Sequence, residues 1–543
     1  MARQPVLGAT LPPYAERRRQ IESEPLPRNI GALLDDVASA APDRLAWEFF
    51  ERGERITYRA LRELVNRLAD GFARAGVRKG SHVGVMLPNV PAMPTTWLAL
   101  ARLGAVMVPM NIAYTPRELS YVVSDANVEF IVIDEDGLDT LAALPDRPRD
   151  LTNDRVFVVG TPREGQRCWD TLLDGENAWV PLDPVDCDDL MNIQYTSGTT
   201  GFPKGCMLSH RYWLTIGKVN ARRDGLTYER ILAATPFFYM DPQWLLLMSF
   251  YQRATLFVAL RQSASRFMGW VCKYRIQFCL FPEIVYKQPP SPRDRENEIV
   301  RVNVYGLDKG IHAALEERFD FVAREAFGMT EAGSGLFMPI EATDMVGSGS
   351  CGIPVPFREA RIAAPDGAPV APGEIGELLL RGPGMLSGYY RKPDATRDAF
   401  HDEWFRTGDL VRQDERGYYY IVGRIKDMIR RAGENISARE VEVVLREMPE
   451  IVEAAAEPVT DATRGEEVKI FVVLRPGLRR EDVPPQRIVA HCQANLARFK
   501  VPRYIAYLDH LPKTPSAKIA KHLLVGASHV AAETYDRVEA RWE

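Results

Sequence analysis

Eleven consecutive residues, Tyr195-Thr196-Ser197-Gly198-Thr199-Thr200-Gly201-Phe202-Pro203-Lys204-Gly205, contain three glycines, four aliphatic hydroxyls and one lysine. That composition suits a phosphate cradle. Glycines let backbone N–H groups approach an anion, hydroxyls add donors, and the lysine sets a cation beside a polyphosphate. The spacing is not that of a Walker A loop, because Pro203 stands where a second glycine is required and no Ser or Thr follows Lys204. A flexible Ser/Thr/Gly surface loop is the alternative reading of the composition alone.

Further segments carry the same kind of promise. Phe327-Gly328-Met329-Thr330-Glu331 follows an apolar run at 322–326, at the strand end where an open α/β sheet places its ligands. By itself Thr-Glu is commonly a helix cap. Trp404-Phe405-Arg406-Thr407-Gly408-Asp409 contains Thr-Gly-Asp, alone only a turn signal. Gly423-Arg424-Ile425-Lys426-Asp427, Arg431-Ala432-Gly433-Glu434 and Leu511-Pro512-Lys513-Thr514-Pro515-Ser516-Ala517-Lys518-Ile519 complete the set. There is no Ser/His/Asp or Cys/His constellation for nucleophilic catalysis.

In this order the segments resemble the adenylate-forming superfamily of acyl-CoA synthetases, nonribosomal-peptide adenylation domains and beetle luciferases, and the likeness covers most of the chain. It implies a two-step reaction in which a carboxylate attacks ATP to give acyl-adenylate and pyrophosphate, and a thiol then displaces AMP. ATP, Mg²⁺ and CoA are the implied cofactor and co-substrates. Thr196, Ser197, Gly198, Thr199, Thr200 and Gly201 would cradle ATP with Lys204, and Gly306, Ala326, Phe327 and Gly328 would join the nucleotide site. Thr330 would touch the α-phosphate, and Glu331 with Thr196 would hold Mg²⁺. Asp409 would accept both ribose hydroxyls, Arg424 would meet ribose and phosphate, Lys426 would be a hinge, and Gly433 would face the CoA tunnel. Lys518 is the counterpart of the mobile catalytic lysine. Ala517 departs from the family's usual glycine; if φ > 0 is needed there, alanine costs about 1 kcal/mol.

The acyl pocket is expected from Tyr239, Asp241, Gln243, Trp244, Tyr305 and Met329. Tyr239 stands where family members commonly have histidine. The run 236–243, with Gln288-Pro289-Pro290-Ser291 and the Asp294-Arg295 pair, looks most like the carnitine/crotonobetaine–CoA ligase branch, where Asp241 among aromatics suits a quaternary ammonium. Asp241 before Pro242 is also a good N-cap, the reading slightly preferred here. Glu283, Lys287 and Lys309 are further candidate pocket charges. The expected activity is an acid–CoA ligase for a small or polar acid. The alternatives are adenylation toward another acceptor, such as a carrier-protein thiol, and a nucleotide-binding homologue impaired in catalysis.

These residues need a scaffold of some size, and 543 residues with 46% hydrophobic side chains supply it. With 68 basic and 73 acidic residues the net charge is −5, no basis for nucleic-acid binding. Seven scattered cysteines form no disulfide framework or zinc spacing. No run approaches a membrane span, so a cytoplasmic protein is expected. Apolar runs at 83–87, 106–110 and 130–133, and again from 231 to 327, alternate with helical stretches, which predicts a large doubly wound α/β body. Short strands beyond 361 read as an antiparallel or barrel-like subdomain. The tail reads as a small mobile α+β domain with helices at 438–447 and 487–496. The division expected is 1–425, the AMP-binding core, and 426–543, which carries the lysine. The resemblance adds homodimers as a common assembly. Residues 1–28, with Arg17, Arg18 and Arg19 consecutive, read as a solvated lead-in without function. The six basic residues within 496–521 (Arg498, Lys500, Arg503, Lys513, Lys518 and Lys521) read as a solvated face that would also suit polyphosphate.

Overall fold

The apolar runs become neighbouring parallel strands: His82–Met86 lies between Val106–Pro109 and Phe130–Asp134. Nearly every residue of the three is buried, so they read as near-continuous apolar runs rich in Val, Ile and Met instead of alternating. The computed structural model describes residues 11–175, 183–196, 203–431, 434–461, 464–496, 498–513, 518–524 and 533–542. The chain divides into two compact units, residues 1–360 with 380–405, and 361–379 with 406–543.

The first unit holds two sheets. The seven-stranded one runs Arg167–Cys168, Val156–Val159, Phe130–Asp134, His82–Met86, Val106–Pro109, Leu190–Thr196, Lys204–Ser209. Its pairings are parallel except the last, an antiparallel hairpin that carries Thr196 and Lys204. The nine-stranded sheet has a parallel centre running Val322–Met329, Arg301–Val304, Phe278–Leu280, Arg230–Ala233, Thr255–Val258 and Leu45–Phe49, with antiparallel strands at both edges. This is the doubly wound α/β body expected. Helices Tyr58–Arg74, Ala92–Leu103, His210–Arg222 and Met240–Gln252 share one core with both sheets, built around Trp97, Trp213 and Trp244. Among the described residues no helix is long and apolar enough to cross a membrane.

The lead-in is not simply solvated. Residues Tyr14–Ser23 form a helix, and Arg17 is only 5% exposed. Its guanidinium donates to the carbonyls of Pro12 and Arg223 and to the Glu341 carboxylate at 2.9 Å. Arg18 donates to the Arg358 carbonyl. A run of three arginines has no periodicity to reveal that one of them is buried; the partners, more than 200 residues away, decide it.

His210 opens the helix His210–Arg222 fully buried, and its Nδ1 accepts the Ile30 N–H at 3.3 Å. Burial pulls its pKa down to about 4 from 6.5. The folded state therefore resists protonation and the unfolded state does not. The associated stability is complete above about pH 6.5 and is lost as pH falls toward 4, by about 3 kcal/mol in total. Chemical denaturation at pH 7.5, 6, 5 and 4 should show this slope, and His210→Gln should flatten it; an unchanged slope in that variant refutes the assignment.

In the second unit, residues 409–413 of strand Trp404–Gln413 pair antiparallel with Tyr419–Arg424. A mixed sheet then runs Glu434–Ser437, Met428–Arg431, Gly465–Leu474, Tyr504–Tyr507, Thr534–Asp536, Arg541–Trp542, with Ile451–Asp461 also paired to Gly465–Leu474. Helices Ala438–Arg446 and Pro485–Asn495 pack on it, the first capped by the Ser437 hydroxyl, which accepts from the Glu440 N–H. The α+β reading of the tail holds at the level of these elements.

Candidate active site

Cradle residues Ser197, Gly198, Thr199, Thr200 and Gly201 lie outside the described residues. Their flanks do not. Thr196 and Lys204 face each other across the antiparallel ladder, and the Thr196 hydroxyl is 3.5 Å from the Lys204 carbonyl. The hairpin is fixed from below. Tyr195 Oη donates to Asp125 at 2.7 Å, Lys392 Nζ holds the other Asp125 oxygen at 2.9 Å, and Tyr121 Oη donates to the Pro203 carbonyl at 2.9 Å. Gly205 is needed for space, since a Cβ there would lie 2.6 Å from Ile193 Cγ2 and 3.1 Å from the Tyr195 ring.

The second motif sits where strand Val322–Met329 turns back into Gly333–Phe337. Ala326 and Phe327 bury their side chains, Ala326 against Val219, Phe337 and Val355, so only their backbone is left to meet a ligand. Gly328 is exposed, and a Cβ there would come 2.8 Å from the Gly333 carbonyl. Thr330 Oγ1 lies 3.9 Å from Met240 Sδ, beside the start of helix Met240–Gln252. Glu331 Oε1 accepts from Tyr389 Oη at 3.1 Å, and the Tyr389 ring faces the Lys204 ammonium at 5.0 Å. Cys206 lies within hydrogen-bonding reach of both Thr196 and Glu331; burial first, and the Glu331 carboxylate second, push its thiol well above the usual range. It is a protonated neighbour, not a nucleophile. Thr196, Lys204, Thr330 and Glu331 are thus gathered in one unit. Tyr389 and Cys206 escaped the sequence reading, for no spacing pattern links Tyr389 to Glu331.

Of the residues expected at the acyl pocket, Tyr239 is half-buried and its hydroxyl accepts from Asn111 Nδ2 at 3.4 Å. Asp241 is not the N-cap. Helix Met240–Gln252 begins two residues earlier than that cap would place it, with Tyr239 at the cap and no side-chain cap bond, and Asp241 Oδ1 accepts from Trp244 Nε1 at 3.1 Å. A carboxylate in the first turn still meets the helix dipole favourably. Gln243 is fully buried, with its amide engaged by Asn192 Nδ2 and by the carbonyls of Phe237 and Tyr239. Trp97 Nε1 donates to Asn192 Oδ1, so this buried relay ties strand Leu190–Thr196 to helix Met240–Gln252; Gln243 and Trp244, both expected at the acyl pocket, are fully buried in it. Tyr305 is 48% exposed but turns its hydroxyl inward to accept from Asn303 Nδ2, where loss of solvent and then Asp241 raise its pKa. Met329 is half-buried. Gly306 has φ +63 and its N–H donates to Glu325. Of the further candidate pocket charges, Lys287 pairs with Glu283 at 2.8 Å and Lys309 is exposed; the Asp294-Arg295 pair is engaged elsewhere, Asp294 with Arg318 at 2.7 Å and Arg295 with the Glu317 carbonyl.

In the second unit, Asp409 and Arg424 are register partners in neighbouring strands, and Arg424 Nε donates to Asp409 Oδ1 at 2.8 Å. Thr407-Gly408-Asp409 lies inside strand Trp404–Gln413, not in a turn; Gly408 at φ +71 allows the kink, and Glu377 takes its N–H. Lys426 is in a short 3₁₀ turn, Ile425–Asp427, with its side chain outside the described set, as are Gly433 and Ala517. Lys518 is exposed. The basic run is mostly paired: Lys500 with Glu440, Arg503 with Asp536, Lys513 with Glu453 and Lys521 with Glu442, all within 3 Å. Those four are ion pairs of the fold and not a polyphosphate surface.

Thr196 and Glu331 offer oxygen donors, one of them a carboxylate, which is what Mg²⁺ takes when phosphates and water complete its shell. Among the described residues no group of three or more His, Cys, Asp or Glu side chains is placed to hold a metal unaided.

Compared with known proteins, residues 34–390 match the family described as AMP-binding enzyme, and 440–518 match the AMP-binding enzyme C-terminal domain. The sulfoacetate–CoA ligase of Cupriavidus necator is 31% identical over 499 residues, 91% of this chain and 96% of that protein. A crotonobetaine/carnitine–CoA ligase of Salmonella paratyphi A is 31% identical over 521 residues, 91% of this chain and 98% of that one. The ATP-bound MatB structure from Rhodopseudomonas palustris superposes with TM-score 0.82 at 27% identity, covering 91% of this chain and 98% of its own.

Proposed function

We propose that this chain, which belongs to the AMP-binding enzyme family and is an ATP-dependent, AMP-forming acid–CoA ligase, takes a small or polar carboxylic acid and works through Lys204, Thr330, Glu331 and Lys518. The observation that supports these roles is the meeting of a cradle lysine and a carboxylate on one tyrosine, with Lys204 and Glu331 both addressing Tyr389.

In the first half-reaction an oxygen of the acid's carboxylate bonds to the α-phosphorus of ATP while the bond to pyrophosphate breaks. Two anions must meet, so the barrier is largely electrostatic. Lys204 and the cradle donors from Thr196 to Gly201 take up charge on the outer phosphates, Thr330 holds the α-phosphate, and Lys518 stabilises charge at the reacting oxygens. Mg²⁺, when bound, neutralises and orients the phosphates. Glu331 and Thr196 are the residues that would hold it. Asp409 receives the ribose hydroxyls, and Arg424, aligned by Asp409, meets ribose and phosphate. Ala326, Phe327, Gly328 and Gly306 contribute backbone to the nucleotide site, and Tyr239, Asp241, Tyr305 and Met329 bound the acid.

In the second half the CoA thiol attacks the acyl carbon and AMP leaves. Lys518 has no part in that step, so 426–543 turns about Lys426 as a domain distinct from 1–425 and brings the Gly433 loop to the thiol path. No protein nucleophile is required, consistent with the protonated Cys206. The reading takes the protein to be cytoplasmic, with a homodimer as the assembly that the family resemblance suggests.

The test is AMP and pyrophosphate release with ATP and Mg²⁺, with and without CoA, across betaines, sulfonated and short-chain acids, aromatic acids and steroid-type acids. CoA-dependent AMP release confined to small or polar acids supports the reading. Turnover that ignores CoA points to another acceptor, and a silent panel despite ATP binding counts against catalysis.

A further inference from the structure

Tyr389 is 8% exposed and lies in no regular strand, yet it is built into the site on three sides. Residues 387–390 lie alongside the hairpin strand Lys204–Ser209: Met207 N–H donates to the Gly388 carbonyl, Ser387 N–H to the Met207 carbonyl, and Tyr390 N–H to the Gly205 carbonyl, all within 2.9 Å. Cys206 and Tyr389 are direct bridge partners. The Tyr389 N–H is fixed by Thr396 Oγ1 at 2.9 Å, and the Leu386 N–H holds the Glu331 carbonyl at 2.8 Å. Backbone and side chain of this segment thus lock onto both halves of the site.

We infer that Tyr389 is a positioning residue that sets Glu331 and Lys204 at their working separation before nucleotide arrives. Its hydroxyl donates to Glu331 Oε1 at 3.1 Å, which fixes the rotation of the carboxylate. Its ring presents its negative face to the Lys204 ammonium, 5.0 Å from the centroid. One side chain therefore addresses the group of each sign. The inference rests on Glu331 as metal ligand and Lys204 as phosphate cation.

The test separates the two contacts by binding alone, with fluorescently labelled ATP titrated onto the full chain in EDTA and over a range of free Mg²⁺. Tyr389→Phe keeps the ring and removes the hydroxyl. It should raise the Mg²⁺ needed for half-maximal nucleotide binding about tenfold, the scale expected when a group orienting a metal ligand is removed, and leave affinity in EDTA unchanged. Tyr389→Leu removes both contacts and should in addition weaken binding in EDTA about threefold. Glu331→Asp withdraws the carboxylate from the hydroxyl, so adding Y389F to it should change nothing further. An unaltered Mg²⁺ requirement in Y389F, equal losses with and without metal, or additive losses in the double variant would overturn the inference. If wild type binds nucleotide with no response to Mg²⁺, the underlying reading of Glu331 fails instead.

Discussion

Lys518→Ala should cut acid-dependent ATP–pyrophosphate exchange by about 10²–10³-fold, the scale of removing one charge that stabilises a transition state. The same variant, given preformed acyl-adenylate and CoA, should make thioester within about threefold of wild type, because displacement of AMP needs no cation from this loop. The asymmetry is the informative part. A protein in which Lys518 only braced the fold would lose both halves together, and that result would sink the assigned role. Lys518 is exposed, and its truncation creates no buried void, so an effect confined to adenylation is the outcome that its setting favours.

Asp224→Ala should cost the folded protein about 3–5 kcal/mol in urea unfolding, the penalty for leaving a buried cation without its partner. Arg223 and Arg301 are each no more than 1% exposed, and Asp224 Oδ2 lies 3.1 Å from Arg301 Nε. Both guanidiniums donate to the single oxygen Asn303 Oδ1. Burial, with Arg301 next, already pulls the Arg223 pKa down to about 10. Without the carboxylate two cations would share one amide in a dry interior. Asp224→Asn should be nearly as damaging, since it keeps the shape and removes the charge. A loss under about 1 kcal/mol in Asp224→Ala would show that the carboxylate does not offset them. The cluster also reaches Tyr305, a proposed wall of the acid pocket, because Asn303 Nδ2 donates to Tyr305 Oη. Weaker acid binding in these variants should therefore accompany the lost stability.

Much of the protein was legible in the chain itself. Buried parallel strands announce themselves as short apolar runs, and their alternation with helices from 83 to 133 and from 231 to 327 was enough to imply parallel pairing, though not the order of the strands. Cap chemistry was equally local, as Ser437 demonstrates. The chemical segments could be read because glycine, hydroxyl and lysine at fixed spacing answer to the geometry of a phosphate, whatever surrounds them.

What the chain alone left open depended on contacts between residues far apart in sequence. Leu45–Phe49 finds its parallel partner in Thr255–Val258, some 200 residues on. Arg17 looked solvated and is buried by Glu341 and the Arg223 carbonyl. Asp241 read as a cap because Pro242 follows it, and the Trp244 indole claims it instead. Four of the six basic residues in 496–521 are spent on carboxylates that sequence distance conceals. Residue type and spacing along the backbone determined which chemistry the chain can offer, since those properties are local. Which groups are paired, buried or free to act was decided only by tertiary structure, because burial and pairing are properties of the space around a side chain. Tyr389 has no local signature, and only the fold sets it between Lys204 and Glu331.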